Sequence, residues 1–370
     1  MNDRKKILIL CPYPKDCAPS QRLKFEHYYD FFNEKGYDVT VSSFVSKKFW
    51  KILYQKGYWS KKIIYTLQGY AQRFYDLFRL HRYHIIYIHL WVTPLGLPLF
   101  EHFVKLLSKK IIYDIDDMVF LGHSSEANRT FKALKGTKKM IYLMKNANHV
   151  ITCTPTLDEF VKQFNSNTTD ISSTINTKTY KPKKEYNLHN PIIIGWSGSH
   201  STSSYLKILE PVFLELIQKG YFIQIHVIGD RNFGFENKKI PVKSIDWNLD
   251  TEVADLSEFD IGVYPLPFEP WVYGKSGLKA LQYMALGIPT VATAVGANYR
   301  IIESGKNGFL IENNDTSLWV EQLIYLIEHK ECREFIGRNG RETVVQKFSV
   351  EANQNTYLSV LESVISAKKH

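Results

Sequence analysis

Cysteine is scarce: Cys11, Cys17, Cys153 and Cys332 are the whole set in 370 residues, and no two form a close CxxC pair. So thin a set cannot staple a chain of this length, and it points to a reducing compartment. Long apolar runs are missing too. Ile7–Leu10 is too short for a signal peptide, and no stretch reaches the ~18 uncharged apolar residues of a spanning helix. The expectation is a cytosolic protein. Cysteine and histidine nowhere cluster as zinc ligands do. His84, His89, His149 and His226 lie within apolar runs and are expected as satisfied core or edge histidines.

Acid is deficient as well. The formal net charge is +10, which favours anionic partners. Between Lys47 and His84 the single acid is Asp76, among many Lys, Arg and aromatic residues (Phe49, Trp50, Tyr54, Tyr58, Trp59, Tyr70, Phe74, Phe78). Such a stretch is either a helical pair with its aromatics in the core or a face suited to anionic lipid. Single-stranded nucleic acid is a third fit, set aside because no nucleic-acid motif accompanies it. The partners expected are therefore no nucleic acid, and an anionic membrane surface through 47–84, on the inner face of the plasma membrane.

What is present alternates. Apolar runs at Lys6–Leu10, Tyr37–Phe44, His84–His89, Lys110–Asp114 and His149–Cys153 read as strands, with helical spacing between them, first at Arg22–Lys35. Lys178–Asn190 is polar, aperiodic and carries Pro182, so it reads as a linker. A second alternation follows: strands at Pro191–Trp196, Phe222–Ile228, Phe259–Tyr264, Thr290–Ala294 and Gly308–Ile311, a helix at Ser204–Lys219, and a last helix at Val350–Ser366. This is the pattern of two mostly parallel, doubly wound α/β domains. Ligands of such domains sit near the carboxyl ends of the strands.

Four segments after strands carry chemistry. In Asp260–Gly287 a Pro-rich loop with Glu269 and Trp271 leads to Gly274-Lys275-Ser276-Gly277, expected to open a helix with Lys275 in its first turn. Free N–H groups there make an anion site, and a lysine at that end suits a ligand better than the helix. A P-loop is excluded, because Glu269 stands where the earlier glycine is required. In Gly195–Thr202, small residues and hydroxyls (Ser197, Gly198, Ser199) let a phosphate approach, or simply cap the next helix. Asp114, Asp116 and Asp117 crowd one strand end. They could bind a divalent metal, orient sugar hydroxyls, accept a proton or cap a helix. Arg22, at a helix start after the first strand, could reach an anion or be solvated.

The strand and loop DIGVYPL, the helix KALQYMALGIPTVAT, the Gly296 turn, ESGKNGFLI and the tail SVEANQNTYLSVLESV resemble the C-terminal domain of retaining GT-B glycosyltransferases, family 4 (glycosyl transferases group 1). KILILCPYP and HVITCTPTL are similar to that fold's N-terminal domain. The resemblance implies a GT-B fold of two Rossmann-like domains facing a central cleft. It places an acceptor-side domain at 1–185, a donor-binding domain at 186–351 and a helix, 352–370, packing back on the first. It implies sugar transfer from a nucleoside-diphosphate sugar to a glycan or lipid-linked acceptor, with retention and no metal or other cofactor, in bacterial surface polysaccharide synthesis.

Three departures from the family bear on the site. The family's paired glutamates, eight apart, are here Gly274 and Gln282, and its basic pair near Ser197 is absent. Lys275 and Lys279, as an i,i+4 helical pair, are the expected compensation for the diphosphate. Gln282 is expected at the ribose, Trp247 near the base, and Glu269 in place of the missing acid. Asp116 stands where the family has a histidine, with Asp117 beside it. The alternatives are a GT-B-like sugar-nucleotide epimerase or phosphorylase, and a scaffold without turnover.

Overall fold

The computed structural model describes residues 4–118 and 137–367. The chain divides into two compact units, Met1–Ser173 with Asn353–His370, and Thr174–Ala352.

The first unit is built on β1 (Lys5–Cys11), whose residues from Ile7 onward are buried. It lies between β2 (Tyr37–Ser43) and β3 (Ile85–His89), and β4 (Ile111–Asp114), β5 (His149–Thr152) and β6 (Thr168–Asp170) continue the sheet in the order β2-β1-β3-β4-β5-β6. Every pairing is parallel. Continuous Ile/Val/Leu runs give this arrangement, because helices cover both faces. The expected helix Arg22–Lys35 is broken into Pro19–Arg22, a 3-10 turn Phe25–Tyr28 and Tyr29–Glu34. The break falls at Lys24 (φ −130, ψ −108), whose side chain turns inward to an ion pair with Asp114. The last helix, Val350–Ser366, brings Tyr357 against Tyr28, with ring centroids 4.4 Å apart, inside this unit.

The second unit holds β7 (Ile192–Ser197), β8 (Ile223–Ile228), β9 (Val242–Ile245), β10 (Ile261–Tyr264), β11 (Thr290–Thr293) and β12 (Phe309–Ile311). Their order is β12-β11-β10-β7-β8-β9, again all parallel. Its core joins Ile194, Ile225, Ile261 and Val291 of the sheet to Phe213, Trp319 and Leu323 of the helices. The expected helix Ser204–Lys219 starts as a 3-10 segment, Ser203–Leu209, and becomes α-helical over Glu210–Gln218. Pro211 explains the change: it has no N–H and suits the first helical turn.

The expected linker is not free chain. Tyr180 donates its hydroxyl to Glu252 (2.9 Å), Lys183 Nζ donates to the Phe259 carbonyl (2.6 Å), and Arg333 Nε donates to the Tyr186 carbonyl (3.0 Å). Residues from Thr174 onward therefore belong to the second unit, so the units divide earlier than the expected 185.

Candidate functional site

In the second unit the strand order reverses between β7 and β10. Connections leaving adjacent strands in opposite directions open a crevice at the strands' carboxyl ends. Two aromatic residues stand there, Trp196 near the end of β7 and Tyr264 at the end of β10, both buried. Lys279 lies over them, its Nζ 4.9 Å from the Trp196 ring centroid and 5.1 Å from that of Tyr264. Ring faces attract an ammonium, but no carboxylate pairs with it among the described residues. Burial, with repulsion from Lys275, lowers its pKa to about 7. Gly198 makes the room: a Cβ there would lie 2.5 Å from Lys279 Cε and 2.6 Å from the Trp196 ring.

Ser197 is buried, and its N–H donates to the Tyr283 hydroxyl at 2.8 Å. Ser199 is exposed, and its carbonyl accepts N–H groups from Thr202 and Ser203, which closes the loop into a turn.

Lys275 is not in the first turn of a helix, contrary to expectation. Pro270–Gly274 is a 3-10 segment, Lys275 is extended (φ −74, ψ 132), and Gly277 caps the helix Leu278–Ala285 at φ +72. That positive φ turns the chain where Ile301 leaves no space for a Cβ. Lys275 and Lys279 are therefore not a helical i,i+4 pair, though their charges still interact. Lys275 Nζ lies 4.6 Å from the Trp271 ring centroid, and the Trp271 indole N–H donates to Glu269 at 2.5 Å. The loop thus brings Glu269, Trp271 and Lys275 together, with Ser276 between Lys275 and the cap. The first helical bond runs from Leu281 N–H to Gly277, and no side chain caps the start. The N–H groups of Leu278, Lys279 and Ala280 precede it without intrahelical acceptors.

Gln282 and Trp247 meet at a residue the sequence did not single out. Glu252, buried, accepts from Gln282 Nε2 (3.1 Å), Trp247 Nε1 (2.9 Å) and the Tyr180 hydroxyl (2.9 Å), and Gln282 Nε2 also donates to Tyr180 (2.9 Å). The Gln282 amide nitrogen is thus occupied within the protein. Trp196 and Tyr264 were also missed. Their signal was an aromatic at the end of each strand flanking the reversal, which becomes legible once the strand order is known. Glu252 had no such signal.

Arg22, Asp116 and Asp117 lie in the first unit. Arg22 is buried at the end of its short helix. Asp114 is fully buried, paired with Lys24 and accepting the Tyr87 hydroxyl, so it belongs to the internal structure. The Asp117 carboxylate accepts the Met118 N–H at 2.7 Å. Asp116 is different. Burial, partly offset by Lys24 and reinforced by Asp117 and Asp114, raises its carboxyl to about 7. His89, expected as a satisfied histidine, is fully buried, and neither ring nitrogen is hydrogen-bonded among the described residues. Its Nδ1 lies 3.8 Å from Asp114 and its Nε2 3.9 Å from Asp116. Burial against Phe25 holds it neutral, at about 4.

Among the described residues, no cluster of His, Cys, Asp and Glu suits a metal ion, and no helix is long and apolar enough to cross a membrane. A concavity of about 520 Å³ in the second unit is lined by residues 299–307 and 339–347, none of them in the loops after β7 or β10.

Residues 193–329 match the family described as Glycosyl transferases group 1. The capsular polysaccharide biosynthesis glycosyltransferase CapM of Staphylococcus aureus is 26% identical over 188 residues, 47% of this chain and 49% of that protein. The chain spans about half or less of the length of the first curated relatives it matches. Sucrose-phosphate synthase from Thermosynechococcus elongatus superposes with a TM-score of 0.72 at 16% identity, over 99% of this chain and 100% of that one. HepE of Anabaena, solved with UDP and glucose, gives 0.66 at 16% identity, over 97% and 100%. At such identities the likeness is one of fold. Two six-stranded parallel units and the match within the second lead to one conclusion: the chain has a GT-B fold, and its residues 193–329 match the group 1 glycosyltransferase family.

Proposed function

We propose that the chain transfers a sugar from a nucleoside-diphosphate sugar to a glycan or lipid-linked acceptor, with retention, in the synthesis of a bacterial surface polysaccharide. The observation that carries this reading is Lys279. Its ammonium sits at the strand-order reversal with no carboxylate partner among the described residues, next to Lys275 and the uncapped helix start. A diphosphate supplies the charge that this arrangement lacks. Lys279, Lys275 and the N–H groups behind Gly198 and Gly277 then stabilise the charge that grows on the diphosphate as the sugar leaves. No metal is required for that role, so added EDTA should leave transfer intact. In the first unit, Asp116 is held near neutrality, where a carboxyl can orient a sugar hydroxyl or take up its proton. CapM is named for capsular polysaccharide biosynthesis and HepE binds UDP and glucose; both are in keeping with this class of donor and product.

The test is thermal shift with a panel of nucleotide sugars and free UDP and GDP. Stabilisation by at least one is expected, and Lys279→Ala should abolish it and lower transfer by one or more orders of magnitude. Stabilisation by none of them would sink the proposal. A scaffold without turnover is favoured by one observation, the engagement of Gln282 by Glu252 and Tyr180. Product analysis separates the readings: transfer requires an acceptor, an epimerase or phosphorylase acts on donor alone or free sugar, and a scaffold yields nothing.

A further inference from the structure

The helix Trp59–Arg79 in the first unit is amphipathic in the reverse sense to a core helix. Its buried residues are Gly69, Arg73 and Asp76. Ile63, Ile64, Leu67, Phe74, Tyr75 and Phe78 follow a three-to-four spacing on the other face, each between 53% and 64% exposed. A polar clamp holds the helix in this orientation. Arg73 donates to the carbonyls of Val92 and Cys11 (2.8 Å each), to Ser42 Oγ (2.9 Å) and to Asp76 (3.0 Å), while Arg79 also pairs with Asp76 (2.7 Å). The outward face is continued by the neighbouring helix Leu99–Leu107, where Leu99, Phe103 and Leu106 are 61%, 52% and 77% exposed at i, i+4 and i+7. Tyr70 joins the two, donating to the Leu95 carbonyl at 3.0 Å and packing against Phe100.

The exposed charge of the segment that carries this face, residues 39–110, has one sign. From Val39 to Lys110 the sequence holds two acids, Asp76 and Glu101, and both are buried, the first clamped by Arg73 and Arg79, the second 3.8 Å from Lys139. The exposed charges of the segment, among them Lys47, Lys51, Lys56, Lys61, Lys105 and Lys109, are all basic.

We infer that this two-helix face lies in the plane of an anionic lipid bilayer. A soluble polyanion would satisfy the lysines but leave the apolar stripe, ~24 Å long, in water. A second copy of the chain would set one basic rim against another. An anionic bilayer takes both, its acyl boundary receiving the apolar residues and its headgroups the lysines. The inference stands apart from the donor reading, since none of these residues belongs to the second unit.

The test is co-sedimentation of the full chain with phosphatidylcholine vesicles, with and without about one third phosphatidylglycerol. Binding to the anionic vesicles is expected, about tenfold weaker on neutral ones and weakened by salt. The triple variant Leu67→Gln, Phe74→Ser, Phe78→Ser alters only exposed side chains and should lose binding by tenfold or more, with an unchanged circular-dichroism melt. Lys56→Glu with Lys61→Glu should remove the preference for anionic lipid. Absence of binding, equal binding by the parent chain and both variants, or a dimer dissolved by the triple variant without vesicle uptake would each overturn the inference.

Discussion

Burial acts on Asp116 and Lys279 in opposite senses and brings both near neutral pH. For Asp116 the folded value, about 7, lies above the ordinary 3.8. The folded protein therefore holds a proton that the unfolded chain has released between these values. Stability falls as pH rises through that window and stays lower above it. Asp116→Asn removes the penalty, so its melting temperature should exceed that of the parent protein at pH 8 and match it near pH 4. A loss of transfer by the same variant, alongside the gain in stability, is the mark of a residue kept for function. If the melting difference is the same at both pH values, the carboxyl is not held near neutrality. Lys24, Asp114, Asp117, His89, Tyr13, Tyr113 and Cys153 are the charged and titratable groups around it among the described residues.

The loop before the helix Leu278–Ala285 depends on Gly277. At φ +72 any other residue is strained, and an alanine Cβ would fall 2.3 Å from Ile301 Cδ1. Gly277→Ala should cost ~2 kcal/mol from backbone strain and displacement of Ile301. That lowers the melting temperature by roughly 4–8 °C and weakens nucleotide binding through the shifted Lys279; an unchanged melt would show that the loop has another conformation open to it. The same loop marks where sequence reading stops. The strands were legible because runs such as KILIL and FIQIHVI are apolar throughout, as a sheet covered on both faces demands. The edge strands β6 (TTD) and β9 (VKSI) were not, since three or four half-exposed residues carry no pattern. Helix breaks escaped for a different reason. Lys24 leaves helical dihedrals as its side chain turns to a carboxylate ninety residues away, and no local propensity encodes that. Lys279 was legible as a candidate, but its bed of Trp196 and Tyr264 depends on β7 lying beside β10.

The two units carry separate hydrophobic cores, one on each sheet. A nucleotide held as proposed therefore acts first on the second unit. Its addition should slow amide hydrogen exchange most in residues 196–203 and 264–282. Protection centred on 299–307 and 339–347 would instead place the ligand in the concavity lined by those residues. Lys279 lies over the rings of Trp196 and Tyr264, and Lys275 over that of Trp271.

The low basicity of Lys279 has a chemical consequence. An amine with a pKa of about 7 is largely unprotonated at pH 8, and an unprotonated amine is a nucleophile where an ammonium is not. A sparing dose of an amine-reactive ester at that pH should acylate Lys279 ahead of the fully solvated surface lysines, and mass spectrometry of the digest would locate the mark. An anion bound beside it returns the proton and silences the amine, so the extent of labelling becomes a footprint of occupancy. That footprint can be read in a crude mixture, with no knowledge of which sugar the donor carries.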